Sequence, residues 1–214
     1  MSPQPPRLVV MDVDSTFITG EVVEMLAARA GSEELVTEIT ERAMRGEIDF
    51  AESLHQRVAT LTGLPDSVLA DVLAEVEPSP GAAELVTEMR ARGWPVGLVS
   101  GGFIEIVRPL AASFGITLTR ANALEVVDGR LTGRVSGAVV DRAAKARTLR
   151  EYAASVGIPM ERTIAIGDGA NDLDMVVAAG FGIAYNAKPL LCAAADAVVR
   201  DRLDAVLDLP VFAS

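Results

Sequence analysis

Two carboxylates two residues apart close an apolar run: Leu8-Val9-Val10-Met11 is followed by Asp12-Val13-Asp14-Ser15-Thr16. Alternation along a strand would put both carboxylates on one side, and a sharp turn would let them converge on one small volume. Like charges that close are unfavourable unless a cation or a shared proton relieves them, so the pentapeptide asks for a metal, a proton or both. Three further segments could carry chemistry. Ser100-Gly101-Gly102-Phe103 follows Val96-Gly97-Leu98-Val99. Its glycines would allow close backbone approach, and the helix expected next would offer unpaired N–H groups to an anion; a plain strand-to-helix turn reads the same way. Lys145 stands near the start of a helix expected to run to about Val156 and, by itself, reads as solvated. Gly167-Asp168-Gly169-Ala170-Asn171-Asp172 follows another apolar run. Two carboxylates around Asn171 in a glycine-containing turn suit a hard cation with oxygen ligands, and equally suit a capped helix start.

The elements needed to position these groups follow from the alternation of short apolar runs with helical patterns, which points to an α/β fold with a mostly parallel sheet. Strands are expected at residues 8–11, 96–99, 163–166, 182–184 and 197–199. Asp12, Ser100 and Asp168 stand at the ends of three of them, and ligands of open α/β sheets bind outside the carboxyl ends of strands. The chain between Asp12 and Ser100 far exceeds the roughly 30 residues of a crossover unit. The surplus reads as helices at 21–30, 33–45, 50–61 and 66–75, punctuated by Gly31, Gly46 and Gly63-Leu64-Pro65 and closed by Pro78-Ser79-Pro80. We read it as a helical cap, residues 17–77, inserted into a core of residues 1–16 and 78–214. A smaller excursion at 124–135 turns at Asp128-Gly129, as a hairpin would. In the third cap helix Phe50, Leu54, Arg57, Val58 and Leu61 share one face. An arginine in an apolar stripe suggests an anion, or else a packed stem with its head in water.

Composition sets bounds. Half of the 214 residues are apolar and 4% aromatic, so a core of aliphatic residues is expected. The net charge of −11 argues against general nucleic-acid affinity and requires local positive charge wherever an anion binds. The single cysteine, Cys192, permits no intrachain disulfide and reads as a small buried hydrophobe. The Pro-rich lead at residues 1–6 is not a signal peptide and is expected to be disordered. The longest apolar stretch, 175–185, is broken by Gly180 and Gly182 and is too short for a bilayer, so a soluble cytoplasmic protein is expected. His55, the only histidine, falls off the apolar stripe and reads as surface; Trp94 is expected at a strand entrance and Lys188 at the periphery.

In chain order, Asp12–Thr16, Ser100, Lys145 and the Gly167–Asp172 segment resemble the haloacid dehalogenase (HAD) superfamily of phosphotransferases, and within it Asp12–Thr16, Ser100–Phe103, Lys145 and Gly167–Met175 resemble the phosphoserine phosphatases. The resemblance covers the chain after Pro6. It implies a Rossmann-like parallel sheet, the HAD-like core, with an inserted helical cap of C1 type. It also implies Mg²⁺-dependent hydrolysis of O-phospho-L-serine to L-serine and phosphate through an aspartyl-phosphate, the final step of L-serine biosynthesis. Asp12 would be the nucleophile and Asp14 the general acid and then base. The Asp12 carboxylate, the Asp14 main-chain carbonyl, Asp168 and waters would bind Mg²⁺, and Asp172 a metal-bound water. Ser100, the Gly101 N–H, Asn171 and Lys145 would hold phosphoryl oxygens. In the cap, Arg57 would pair with the substrate carboxylate, Glu21 with its ammonium, and Phe50 with Met44 would line the apolar side. The implied partner is a small molecule, with neither nucleic acid nor membrane, for a monomer or homodimer. Another small-metabolite phosphatase, or a phosphotransferase to an acceptor such as homoserine, stays open. A non-catalytic phosphate-binding module is disfavoured because every chemical position holds a competent residue. At this length no additional N-terminal regulatory domain is expected.

Overall fold

Four apolar residues make the centre of the sheet. β1 (Leu8–Met11) is buried throughout; Val9 and Met11 pack on one face, Leu8 and Val10 on the other. Such alternation without a polar side marks a strand covered on both faces. The computed structural model describes residues 5–44 and 47–213, with the Met44 side chain excepted. From β1 the chain passes through an irregular loop, Val13–Phe17, where Ser15 has φ 56°. It then forms α1 (Val22–Ala30), α2 (Glu33–Met44), α3 (Phe50–Ala59) and α4 (Val68–Glu75). It returns as α5 (Ala82–Ala91), β2 (Val96–Phe103), α6 (Ile104–Ser113), β3 (Leu118–Val127), β4 (Arg130–Ser136) and α7 (Arg142–Ser155). The chain ends with β5 (Thr163–Gly167), α8 (Leu173–Ala178), β6 (Phe181–Tyr185), α9 (Pro189–Cys192) and β7 (Ala197–Val199).

The described strands form one sheet in the order β4-β3-β2-β1-β5-β6-β7. β1 pairs in parallel with β2 on one side and β5 on the other, with Met11 level with Leu98 and Ile166. Strand order therefore reverses at β1, and the carboxyl ends of β1, β2 and β5 open into one crevice. This is the Rossmann-like α/β sheet that the sequence pattern implies, with β4 antiparallel at its edge.

Two features differ from the expected elements. Ser100-Gly101-Gly102 is not a strand-to-helix turn: β2 runs on to Phe103, and its pairing with β3 is irregular between Val99 and Phe103. The glycines serve clearance instead. A Cβ on Gly101 would stand 2.8 Å from Phe50 Cζ, and one on Gly102 2.6 Å from Asp14 Oδ2. β3, moreover, begins at Leu118, well before the expected hairpin; its first half pairs in parallel with β2 and its second half antiparallel with β4. Asp128 and Gly129 both have positive φ, which a two-residue turn matched to the twist of a hairpin requires.

The helices between β1 and α5 leave and rejoin the sheet at one place. Ile18 bridges Pro78, and the Ser79 N–H donates to the Phe17 carbonyl at 2.9 Å. Asp49 caps α3 by accepting from the Glu52 N–H at 2.8 Å. Leu54, Val58 and Leu61 join Phe17, Phe103, Leu124 and Leu131 in one apolar cluster. Backbone hydrogen bonds join Gly63 and Leu64 to Leu131, and Asp66 to Gly129, so this insert is tied to the hairpin as well as to its root. The Gly46 break and residues 1–4 of the lead lie outside the described residues. Trp94 is buried against Phe212 beneath Arg92, and His55 is exposed. Cys192 is half-buried, not fully buried, with its Sγ 3.3 Å from the Ala187 carbonyl. Among the described residues no helix is long and apolar enough to cross a membrane.

Candidate active site

The crevice at the carboxyl ends of β1, β2 and β5 is a cleft of about 800 Å³. Asp12 enters at its floor because β1 ends there, with the Asp12 N–H donating to the Ile166 carbonyl at 3.0 Å. Lys145 meets it from α7, whose N-terminus is capped by Asp141. Lys145 lies one turn below Leu149 and shares the inward face with Thr148, Tyr152 and Ala153. Its Nζ donates to Asp12 Oδ1 at 2.7 Å and to Asp172 Oδ1 at 2.6 Å, and neither Lys145 nor Asp172 is accessible to solvent. The second oxygen of Asp172 accepts from the Asp168 and Gly169 N–H groups at 3.2 and 3.1 Å, folding the turn after β5 around it. Gly167 is required there, since a Cβ would stand 2.5 Å from the Asp172 side chain.

Asp14 turns away from this cluster. The loop after β1 sends its carboxylate toward α1 and β2, where it accepts from the Val22 N–H at 2.9 Å and from the Ser100 hydroxyl at 2.8 Å. Glu21 accepts from the Ser15 hydroxyl at 2.8 Å. On α3 the Arg57 Nε donates to the Ser53 carbonyl at 3.3 Å, and both residues line the cleft with Phe50 and Leu54.

The charges are crowded. Burial, then the charge of Asp172, holds the Asp12 carboxyl well above the usual carboxylate range, although Lys145 pulls the other way. Burial and Asp172 push Asp168 up to about 6, against the charges of Lys145 and Lys188 and the hydrogen bond from Thr16. Burial, then Asp14, pushes Glu21 up to about 7. Burial by itself would lower Lys145, but Asp12 and Asp172 more than offset it and hold it above an ordinary lysine. Burial lowers Arg57, with Glu21, Asp14 and Glu24 pulling upward. Asp12, Asp168 and Asp172 can each bring an oxygen within 4.8 Å of the others'. Three carboxylates against one ammonium leave an excess of negative charge, and an all-oxygen donor set is what a hard divalent cation takes.

Asp12, Asp14, Glu21, Phe50, Arg57, Gly101, Asp168 and Asn171 all line the cleft. Ser100, Lys145 and Asp172 lie buried around its floor. The Met44 side chain lies outside the described residues. Lys145 is not solvated: its position on the stripe of Leu149, Tyr152 and Ala153 was the signal that it is buried. Lys188 is not peripheral; it lines the cleft, and its N–H donates to the Asp168 carbonyl at 3.0 Å. Ser53 and Arg142, which no sequence motif marks, also reach the cleft. Nor does a motif mark Asn122, although an asparagine at an inward strand position beside Leu124 is disfavoured unless paired.

The model of haloacid dehalogenase-like hydrolases matches residues 9–176. Phosphoserine phosphatase SerB2 of Mycobacterium tuberculosis is 56% identical over 204 residues, 95% of this chain and 50% of that protein. The phosphoserine phosphatase of Streptococcus thermophilus is 53% identical over 184 residues, 86% of each chain. The chain thus spans half the length of the mycobacterial relative and most of the streptococcal one. A solved structure described as a phospho-aspartyl intermediate analogue of phosphoserine phosphatase superposes with a TM-score of 0.90 at 39% identity, covering 96% of this chain and 99% of that one. A substrate-bound phosphoserine phosphatase complex superposes with a TM-score of 0.90 at 38% identity, covering 96% and 98%.

Proposed function

The chain belongs to the haloacid dehalogenase-like hydrolases, and from that premise we propose that it hydrolyses O-phospho-L-serine through an aspartyl-phosphate on Asp12. The observation that carries this reading is the opposite setting of two carboxylates in one loop. Asp12 is held by Lys145 in the acidic cluster, while Asp14 is turned onto Ser100 and the Val22 N–H. Two carboxylates in different environments can take different roles, one as nucleophile and one as proton carrier.

In the first step an Asp12 oxygen forms a bond to phosphorus and the bond from phosphorus to the serine oxygen breaks. Asp14 gives its proton to the departing alkoxide. In the second step water attacks phosphorus, Asp14 takes the water proton, and phosphate leaves Asp12 as a free carboxylate. Lys145 offsets the charge gathering on the reacting group, assisted by Ser100, the Gly101 N–H and Asn171, so catalysis is chiefly positioning and charge stabilisation. Asp12, Asp168 and the Asp14 carbonyl would hold Mg²⁺, with Asp172 orienting a water on it. When bound, the cation supplies the positive charge that lets the crowded carboxylates stay ionised. Residues 17–77 act as a cap over the core of 1–16 and 78–214. Across the cleft Arg57 binds the substrate carboxylate and Glu21 its ammonium, with Phe50 on the apolar side. The lowered Arg57 and raised Glu21 support this, since each stands in a desolvated setting that a counter-charge on the substrate would relieve. The setting implied is cytoplasmic amino-acid biosynthesis, by a monomer or homodimer acting on a small molecule.

Phosphate release from phosphoserine, phosphoethanolamine and an aryl phosphate, with and without EDTA, tests the reading. Phosphoserine should be preferred and chelation should stop turnover. Equal rates on phosphoserine and phosphoethanolamine would remove the substrate assignment.

A further inference from the structure

Asn122 takes no part in the reaction as described, yet it is a buried polar side chain tied to both halves of the site. It stands on β3, 1% exposed. Its Nδ2 donates to the Gly101 carbonyl at 2.7 Å, and its Oδ1 accepts from the Val140 N–H at 2.8 Å. The Gly101 carbonyl belongs to the same planar peptide as the Gly102 N–H. That N–H donates to Ser100 Oγ at 2.7 Å, and the Ser100 hydroxyl donates to Asp14 Oδ2 at 2.8 Å. An unbroken chain of hydrogen bonds therefore runs from Asn122 through the Gly101–Gly102 peptide and Ser100 to Asp14. Val140, at its other end, directly precedes Asp141, the cap of the helix that carries Lys145.

We propose that Asn122 is a positioning residue: it fixes the Gly101–Gly102 peptide and thereby aims the Ser100 hydroxyl at Asp14. The need for it lies in the sheet. Pairing of β2 with β3 is regular as far as Val99 opposite Arg120 and resumes only at Phe103 opposite Asn122. Regular ladder pairing thus lapses across the two glycines, and glycines have no side chain to pack in place. They cannot be exchanged for stiffer residues, because a Cβ on Gly102 would stand 2.6 Å from Asp14 Oδ2 and 3.0 Å from Ser100 Oγ. The amide of Asn122 replaces the missing ladder bond. A donor on the Gly101 oxygen also polarises that peptide and strengthens its N–H. Ser100 has one hydroxyl proton; with its oxygen accepting from Gly102, that proton is directed to Asp14 until a phosphoryl oxygen competes for it.

The kinetic part of the test rests on the phosphomonoesterase reading above; the spectroscopic part does not. In a double-mutant cycle with Asn122→Ala and Ser100→Ala, Asn122→Ala should lower kcat by about tenfold to a hundredfold and change KM less. On the Ser100→Ala background the further loss should shrink to about twofold or less. Equal losses on both backgrounds would overturn the proposal, because a merely structural role does not depend on Ser100. Asn122→Ser, which keeps a short hydroxyl donor, should recover part of kcat, and it replaces Asn122→Ala should the latter fail to fold. Running the cycle on phosphoserine and on an aryl phosphate separates the two readings: a failure of serine selectivity leaves the aryl-phosphate cycle decisive. In the substrate-free protein the Gly102 amide proton, read by NMR, should move upfield in Asn122→Ala and by less in Asn122→Ser. An unshifted Gly102 resonance overturns the proposal whatever the enzyme hydrolyses.

Discussion

The floor and the roof of the cleft are built on opposite terms. On the floor, Lys145 and Asp172 are inaccessible, Asp12 nearly so, and all three are locked by hydrogen bonds of 2.6 and 2.7 Å. On the roof, Glu21, Phe50 and Arg57 are only partly buried, and the one hydrogen bond of the Arg57 guanidinium among the described residues is from Nε to the Ser53 carbonyl. The floor has its geometry before any ligand arrives, at the cost of three carboxylates in one small volume. On the proposed reading the roof charges, Glu21 and Arg57, answer those of the substrate. On that reading such a site separates reaction from selection: the buried groups act on the phosphate, and the partly buried groups choose which molecule stays.

The comparison can be broken first at the floor. Asp12→Asn should lower turnover of phosphoserine and of an aryl phosphate alike, by at least about a thousandfold, because it removes the nucleophile proposed for both. Comparable activity toward the aryl phosphate alone would mean that the floor does not supply the reacting group. Lys145→Met should cost about 3–5 kcal/mol in denaturant unfolding, since it leaves Asp12 and Asp172 buried without a counter-charge. At the roof the same measurements should diverge. Arg57→Ala should reduce kcat/KM for phosphoserine by about a hundredfold while changing the aryl phosphate less than about threefold, with stability nearly unchanged. Equal losses on both substrates would show that Arg57 supports the fold of the insert and not selection.

Two pH measurements sharpen the contrast. With Asp168 pushed up to about 6 and Asp12 also raised, these carboxylates must shed their protons to ligate, so Mg²⁺ affinity should fall by at least about tenfold per pH unit below 6. Calorimetric titration at pH 5 and pH 7.5 reads this directly, and a flat profile would place the cation elsewhere. Glu21, raised to about 7, is neutral at lower pH and loses its attraction for an ammonium. KM for phosphoserine should therefore rise a few-fold as pH falls from 8 to 6, a trend that Glu21→Gln should flatten while it raises KM throughout.

Contiguous motifs were the most legible part of this chain. The run before Asp12 specified β1 because a short, partly β-branched apolar run without a polar side suits a strand covered on both faces. The excess of chain after it indicated an insert, and Asp128-Gly129 indicated a hairpin. The start of β3 was illegible for the same physical reason: Leu118-Thr119-Arg120-Ala121 is half-exposed, so no apolar run announced it. Ser100-Gly101-Gly102 read as a turn because glycine permits one, yet pairing to β3 and the approach of Phe50 and Asp14 keep it extended.

By itself the sequence determined which groups are present and the order in which short loops deliver them to strand ends, because a strand and its following turn are specified by neighbouring residues. Only the tertiary structure decided which groups meet. Lys145 reaches Asp12 across 133 positions, Ser100 reaches Asp14 across 86, and Asn122 reaches Val140 across 18. Those encounters depend on strand order and helix packing, where the burial of many apolar side chains outweighs the local preference of any one lysine or asparagine for water.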